Sequence, residues 1–296
     1  MIVNSSLFEK RKEGREPRNF KALFFIEAAI FFPTFFLGFF TTLRISYILK
    51  TQNITSQPIT IPEFLLYFSI STFFILLLIW FIKKRRKSNI LFRGVFILAF
   101  FWGEMITLSA FLGDFLSLIL TIFSIIIWIK KPFVIIHNLF FVLSSAGIAA
   151  VLGLRIQPET IIILLLIFAV YDFIAVYKTK HMQKMAKAMI KASAPLAFVI
   201  SLNITSLLNE AVNFEDKKER NTFFLGGGDI IFPLTLSFSL ISQNVLYSFF
   251  VAIFSFFGLS FSFYIFLFKR KKKPIPALPP IALFTLIGFF IGKIIF

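Results

Sequence analysis

Long apolar runs recur along the whole chain, and they limit its fold more than any other feature. Most are close to 20 residues, the length at which an α-helix crosses the hydrocarbon layer of a membrane. The 296 residues are 58% apolar, whereas a soluble domain averages about 45–50%. Backbone groups in lipid need internal partners, so such a chain must form helices or a closed barrel. The runs do not alternate as barrel strands do, and the sequence therefore predicts an all-α polytopic membrane protein.

Nine transmembrane helices are predicted, and they form a single transmembrane domain over residues 1–296. They are expected at residues 22–43, 64–82, 90–111, 112–129, 132–153, 158–177, 223–241, 244–268 and 277–295. The longest stretch between them, residues 178–222, begins as a basic segment.

The distribution of lysine and arginine predicts the orientation of these spans. With the N-terminus in the cytoplasm, 27 of the 31 basic residues lie on the inner side and four on the outer side. Cytoplasmic loops carry this excess in membrane proteins. We therefore expect a multi-pass protein of the cell membrane, with the loop 178–222 cytoplasmic and the C-terminus outside. Membrane topology also explains the net charge of +17, so contact with membrane lipid is expected and binding to nucleic acid is not.

Cofactor chemistry has little support in the composition. The chain has no cysteine, and His137 and His181 are its only histidines. Disulfides and thiol catalysis are therefore excluded, and a zinc or iron site would have to be built from carboxylates. We expect no metal and no cofactor.

Ionisable side chains within the predicted spans are candidates for a functional site, because charge in lipid is costly. The candidates are Glu27, Glu104, Asp114, His137, Asp172, Asp229 and Lys293. Most of them lie near a span end or a turn, and His137 with Asn138 predicts an interhelical contact. Glu104 is compatible either with a buried hydrogen bond or with the wall of a water cavity.

Asp172 and Asp229 differ from the others because their predicted depths match. Asp172 lies six residues before Lys178, the inner end of span six, which is about 9 Å of helix. Asp229 lies nine residues after Arg220, the last charge before span seven, which is at most about 13 Å. Because the two spans are consecutive and antiparallel, both carboxylates are expected in the cytoplasmic half of the membrane.

Glycine and proline interrupt the helical pattern beside these aspartates. Gly226–Gly228 directly precedes Asp229, and each glycine costs a helix about 1 kcal/mol relative to alanine. Such a segment lets another backbone approach closely, although small-residue helix packing is the alternative explanation. Pro276–Pro280 contains three prolines, which hold the chain extended where span nine begins. Both segments enter from the cytoplasmic side, which predicts one site.

Together these residues resemble the presenilin and signal peptide peptidase family of intramembrane aspartyl proteases. Tyr171-Asp172 resembles the family's YD motif, Gly226-Gly227-Gly228-Asp229 its GxGD motif and Pro276-Ala277-Leu278 its PAL motif. Order and span number agree, and the resemblance covers essentially the whole chain. The compact length and the stretch Ala169–Lys180 look most like the archaeal members, and the orientation is presenilin-like. Gly227 departs from the large apolar residue of the usual eukaryotic pattern, which bears on substrate preference.

The resemblance implies that Asp172 and Asp229 are the catalytic pair. It also implies that the other motif residues support substrate binding, namely Tyr171, Gly226, Gly227, Gly228, Pro276, Ala277 and Leu278. Two carboxylates in one site cannot easily both ionise, so one would act as general base on a water and the other as general acid. Their roles cannot be assigned individually, and Tyr171 either positions the pair or only packs.

The expected substrate is a transmembrane helix that must first unwind. Gly226–Gly228 and Pro276–Pro280 offer backbone with which an extended substrate can pair by strand addition, and the apolar stretch Pro195–Leu208 is a further candidate for this pairing.

Two other functions fit parts of the pattern. An ion-coupled transporter or channel also uses intramembrane carboxylates beside broken helices, but no repeat relates the two halves of the chain and both aspartates lie off the midplane. A type IV prepilin peptidase also uses GxGD, but without YD and PAL in this order. The sequence leaves open the physiological substrate, any partner subunit, a homo-oligomer and the cleavage of loop 178–222 during maturation.

Overall fold

The structure is a computed structural model that describes residues 2–4, 20–54, 59–83, 88–131, 133–178, 196–201, 222–268 and 274–296. Within these ranges the helices are α1 (Phe20–Thr51), α2 (Ile61–Lys83), α3 (Ser88–Leu112), α4 (Asp114–Lys130), α5 (Val134–Arg155), α6 (Pro158–Tyr177), α7 (Gly228–Ser239), α8 (Val245–Phe268) and α9 (Leu278–Ile295). The strands are β1 (Ile2–Asn4), β2 (Ala197–Ser201) and β3 (Thr222–Gly226).

Each described helix lies at one of the segments predicted from the apolar runs. Five of them, α1, α5, α6, α8 and α9, are long and apolar enough to cross a membrane. Two shorter apolar helices cover Phe96–Leu112, within α3, and Gly228–Ser239. Helix α1 continues to Thr51, eight residues beyond the predicted end of its span. The described helices therefore support a multi-pass membrane protein.

The prediction of a helix over residues 223–241 was wrong for its first part. Residues 222–226 form β3, and α7 begins only at Gly228. Large apolar residues such as Phe223 and Phe224 favour a strand, and the glycines that follow them are poor helix formers. The all-α fold class was also incomplete, because the three described strands form an antiparallel sheet in the order β1-β3-β2.

The prediction that Pro276–Pro280 is extended was wrong for its second part. Helix α9 begins at Leu278, and Pro279 and Pro280 lie in its first turn. Proline is tolerated there because the first N–H groups of a helix have no partner within the helix.

Helix α5 organises the core of the protein. It contacts α1, α3, α4, α7 and β2. A Cβ atom on Gly147 would clash with the backbone oxygen of Gly103 on α3, and Thr107 of α3 donates a hydrogen bond to the carbonyl of Leu143 at 2.7 Å. Small residues and interhelical hydrogen bonds are what hold helices together in lipid, so this contact fixes α3 against α5.

Helices α8 and α9 form a second close pair. An added Cβ on Gly258 would lie 2.8 Å from the Cα of Ile281, and the hydroxyl groups of Ser255 and Thr285 are 2.9 Å apart. Helix α9 also contacts α6 and α7. The helices that carry the three sequence motifs therefore converge in one region.

Candidate active site

Asp172 lies on the buried face of α6, where its side chain is 2% exposed. Its Oδ2 atom accepts a hydrogen bond from the backbone N–H of Leu278 at 3.2 Å. The first N–H groups of a helix have no partner within that helix, so Asp172 satisfies one of them at the start of α9. Leu278 also packs with Leu165 and Ala169 of α6 in an apolar cluster. The structure therefore brings the Tyr171-Asp172 and Pro276–Leu278 motifs together.

Asp229 lies in the first turn of α7 and is also buried, with 6% of its surface exposed. It interacts electrostatically with Asp172 and with the backbone N–H of Gly226. The positive end of the helix dipole, at the start of α7, favours an anionic side chain there. Helices α6 and α7 are in contact, and the rings of Phe168 and Phe232 pack 4.5 Å apart beside the site. The two aspartates therefore lie on adjacent helices, close enough to interact electrostatically.

Tyr171 does not share the environment of its neighbour. Its side chain is 52% exposed, because successive residues of a helix point in different directions. Its hydroxyl group makes no hydrogen bond to any residue that the structure describes. The contacts of Tyr171 therefore do not support a hydrogen bond that positions the aspartates, which was one of the two alternatives for this residue.

The glycine segment joins the sheet to α7. Gly226 is the last residue of β3, Gly227 precedes the helix and Gly228 begins it. An added Cβ on Gly227 would lie 2.5 Å from Cζ of Phe141, which belongs to α5. This ring is itself held against Phe198 of β2, with centroids 4.3 Å apart. Phe141 therefore fills the space next to the variable position of the motif.

Two polar residues of α5 bind strand β2. Asn138 accepts a hydrogen bond from the N–H of Val199 at 2.9 Å and donates one to its carbonyl at 2.7 Å. His137 Nε2 lies 3.0 Å from the carbonyl of Ala197, while its Nδ1 accepts from the indole of Trp128 at 3.3 Å. The predicted interhelical contact is thus present between His137 and Trp128 of α4. The role of Asn138 differs, since its amide makes the two bonds that a neighbouring strand would make.

Two further carboxyl groups, those of Glu27 and Glu104, are buried among the residues that the structure describes. The hydroxyl of Ser124, on α4, donates to Glu104 of α3 at 2.7 Å, which favours the buried hydrogen bond over the water cavity. Glu27 of α1 is buried beside Ser260 of α8. Sequence reasoning missed Ser262, whose hydroxyl proton is shared between the carbonyl of Gly258, in the same helix, at 2.9 Å and the carbonyl of Ala277 at 3.1 Å. A serine in the middle of an apolar helix was the only signal that could have found it.

Residues 39–296 match the family described as "Signal-peptide peptidase, presenilin aspartyl protease". The chain belongs to this family. The family prediction made from the three motifs is therefore confirmed, and the protein is an intramembrane aspartyl protease. The transporter and prepilin peptidase alternatives are not supported.

Solved structures show a similar fold. One presenilin family intramembrane aspartate protease, solved in space group C222, is 19% identical in sequence and has a TM-score of 0.64 over 92% of this chain and 99% of that chain. A structure with the same description in space group P2 is 21% identical, with a TM-score of 0.56 over 89% and 97% of the two chains. No curated protein matches the chain.

Proposed function

We propose that this protease cleaves peptide bonds within transmembrane helices of membrane-protein substrates, with Asp172 and Asp229 as its catalytic dyad. The observation that carries the proposal is the hydrogen bond from Leu278 N–H to Asp172, which joins two motifs that are 106 residues apart in sequence. The electrostatic interaction of Asp172 with Asp229 adds the third motif. Residues 226–228 and 276–278 would support the substrate beside this pair.

The reaction uses one ionised and one protonated carboxyl group. The ionised carboxylate takes a proton from a water, and the oxygen of that water attacks the scissile carbonyl carbon. The protonated carboxyl group donates a hydrogen bond to the carbonyl oxygen as negative charge develops there. The dyad, which now also holds the proton taken from the water, gives one proton to the nitrogen, and the C–N bond of the tetrahedral intermediate breaks. One proton remains on the dyad, as at the start. The two aspartates act as one coupled unit, so neither role is assigned to a particular residue.

A substrate helix must become extended before its peptide bonds are accessible. Strand β3 leads directly into Gly227 and Asp229, and its backbone offers a strand with which an unwound segment can pair. Strand β2, which lies within the apolar stretch Pro195–Leu208, pairs with the other edge of β3. The sheet therefore supports recognition of an extended peptide next to the aspartates.

The proposed topology has nine spans, with the N-terminus and the loop 178–222 in the cytoplasm and the C-terminus outside. Strand β1 pairs with β3 immediately before α7. This pairing supports placing residues 2–4 on the same side of the membrane as the entrance to α7.

The direct test is to incubate the detergent-purified protein with a panel of single-span peptides and to identify the products by mass spectrometry. We expect cuts within the apolar segment of at least one substrate. Cuts only in the polar flanks, or no cuts across the panel, would contradict the proposal.

A smaller effect is expected when Ser262 is replaced by alanine. The change removes a hydroxyl whose proton is shared between the carbonyls of Gly258 and Ala277, and a hydrogen bond of this kind contributes about 1 kcal/mol. Because Ala277 directly precedes the N–H that binds Asp172, we expect kcat/KM for a single-span substrate to fall about three- to ten-fold, since 1.4 kcal/mol corresponds to a factor of ten.

Ser255→Ala is the matched control for this variant. Ser255 is a buried serine of the same helix, and its hydroxyl also contacts α9, 2.9 Å from that of Thr285. Both variants should lose similar thermal stability, whereas only Ser262→Ala should lose activity. Equal activity in the two variants would show that Ser262 supports only the packing of α8 on α9.

A further inference from the structure

Strand β1 occupies the space between β3 and the segment that leads into α9. Ile2 pairs with Leu225 of β3 on one side and with Ile275 on the other. Its N–H donates to the carbonyl of Ile275 at 3.1 Å, and the N–H of Ile275 donates to the carbonyl of Ile2 at 3.3 Å. The Ile2 side chain is fully buried and packs in the same apolar cluster as Leu225 and Ile275.

The register shows which backbone groups β1 covers. Backbone groups of successive residues in a strand point to opposite edges. Since Ile2 directs its groups to Ile275, the next residue, Val3, directs its groups to its partner Phe224. Strand β1 therefore forms backbone hydrogen bonds on both of its edges. One edge bonds to β3 and the other to Ile275, one residue before Pro276.

The opposite side of the sheet is closed by side chains. Strand β2 covers the second edge of β3, and its own outer edge is bound by Asn138 at Val199 and by His137 at Ala197. Among the described residues, the edge of β3 that faces Ile275 is the place where an incoming strand can pair beside the aspartates, and β1 lies there.

We propose that β1 is an intramolecular occupant of the substrate-strand site and that an extended substrate must displace it before cleavage. This inference rests on the proposed function. The enzyme is then autoinhibited. Its apparent affinity for substrate is proportional to the fraction of molecules in which the site is open, and β1 lowers that fraction. A substrate strand that replaces β1 pairs with Phe224 and Ile275 and places an apolar side chain where Ile2 lies.

The direction of β1 also predicts the direction of the substrate. Strand β1 runs antiparallel to β3, so its Ile2 end lies toward Gly226 and its Asn4 end lies away from it. A substrate in the same slot would have its scissile bond on the N-terminal side of the paired strand, since the aspartates lie beyond Gly226.

A reversible crosslink tests this proposal directly. The chain contains no cysteine. The double variant Ile2→Cys with Leu225→Cys therefore has two cysteines, which can form one disulfide. Opposite residues in a non-hydrogen-bonded antiparallel pair have Cα atoms about 4.5 Å apart, which lies within the range that a disulfide spans. We expect the oxidised double variant neither to bind a fluorescent single-span peptide nor to cleave it, and the reduced protein to do both. The single variant Ile2→Cys, oxidised in the same way, should bind and cleave in both redox states.

The second test releases β1. Ile2→Asp would place a charge in an apolar site and expel the strand, whereas Ile2→Val keeps its shape and strand preference. We expect Ile2→Asp to lower the apparent Kd for the peptide about three- to ten-fold. The reason is that the site is then open in most molecules, and the apparent Kd falls as the open fraction rises. Ile2→Val should match the parent protein.

The outcomes separate the two proposals. Equal binding and cleavage by the oxidised and reduced crosslink variant would overturn the role of β1 and leave the protease function intact. Unchanged or weaker binding by Ile2→Asp, relative to Ile2→Val, would also overturn it. Redox-dependent peptide binding without cleavage in any variant would instead contradict the proposed function.

Discussion

Replacing either Asp172 or Asp229 by asparagine is expected to abolish cleavage of a single-span substrate. General acid–base catalysis by one group contributes typically about 10²–10⁴-fold, and each aspartate is needed for the shared proton. Asparagine keeps the shape of the side chain, and in Asp172→Asn its amide oxygen can still accept the hydrogen bond from Leu278. Folding should therefore be preserved, which thermal unfolding in detergent can verify alongside the cleavage assay.

The matched control is Asp114→Asn. Asp114 begins α4 and is exposed, so it shares the carboxyl chemistry but not the site. We expect this variant to cleave at the parental rate. Retained cleavage in Asp172→Asn or in Asp229→Asn, with the protein confirmed as the source of activity, would eliminate the dyad.

The largest effect on stability is expected at Gly147. A single methyl group there would overlap the backbone oxygen of Gly103, and neither helix can remove that overlap by turning a side chain. Gly147→Ala should therefore separate α3 from α5 and strain the Thr107 hydrogen bond to Leu143. Overpacking of a well-packed contact costs about 1–3 kcal/mol or more, so we expect a clearly lower midpoint in thermal unfolding followed by circular dichroism.

Gly94→Ala provides a control of the opposite sign. Gly94 lies in α3, and nothing is found within 4 Å of the Cβ atom that alanine would add there. Alanine is favoured over glycine in a helix by about 1 kcal/mol, so this variant should be as stable as the parent or more stable. If Gly147→Ala unfolds at the same temperature as Gly94→Ala, the close contact between α3 and α5 does not support the fold.

The positions of the helices could be predicted because lipid imposes a strong rule on sequence. A helix that crosses a membrane needs a long apolar run. Apolar runs marked each of the nine described helices, and five of these are long and apolar enough to cross a membrane. The aspartates could be recognised for the related reason that ionisable groups within spans are rare. The local sequence was therefore sufficient to predict the positions of the helices and the residues of the candidate site.

The sheet could not be predicted, because it depends on contacts between distant residues. Strand β2 is held by Asn138 from more than 60 residues away, and β1 is only three residues long. Neither strand has a periodic pattern long enough to distinguish it from a loop. The exposure of Tyr171 could not be predicted for a different reason. It depends on which face of α6 the neighbouring helices cover, and the sequence of α6 alone does not indicate this.

The ring of Phe141 beside Gly227 links two positions that the sequence separates by 86 residues. The ring occupies the volume that a side chain at position 227 would need, so side chains at positions 141 and 227 compete for the same volume. A large residue at 227 therefore requires a smaller one at 141, and the pair should vary together among relatives. Reshaping the site for a different substrate would accordingly begin with a coupled exchange at these two positions, since a single replacement at either one would leave a clash or a hole.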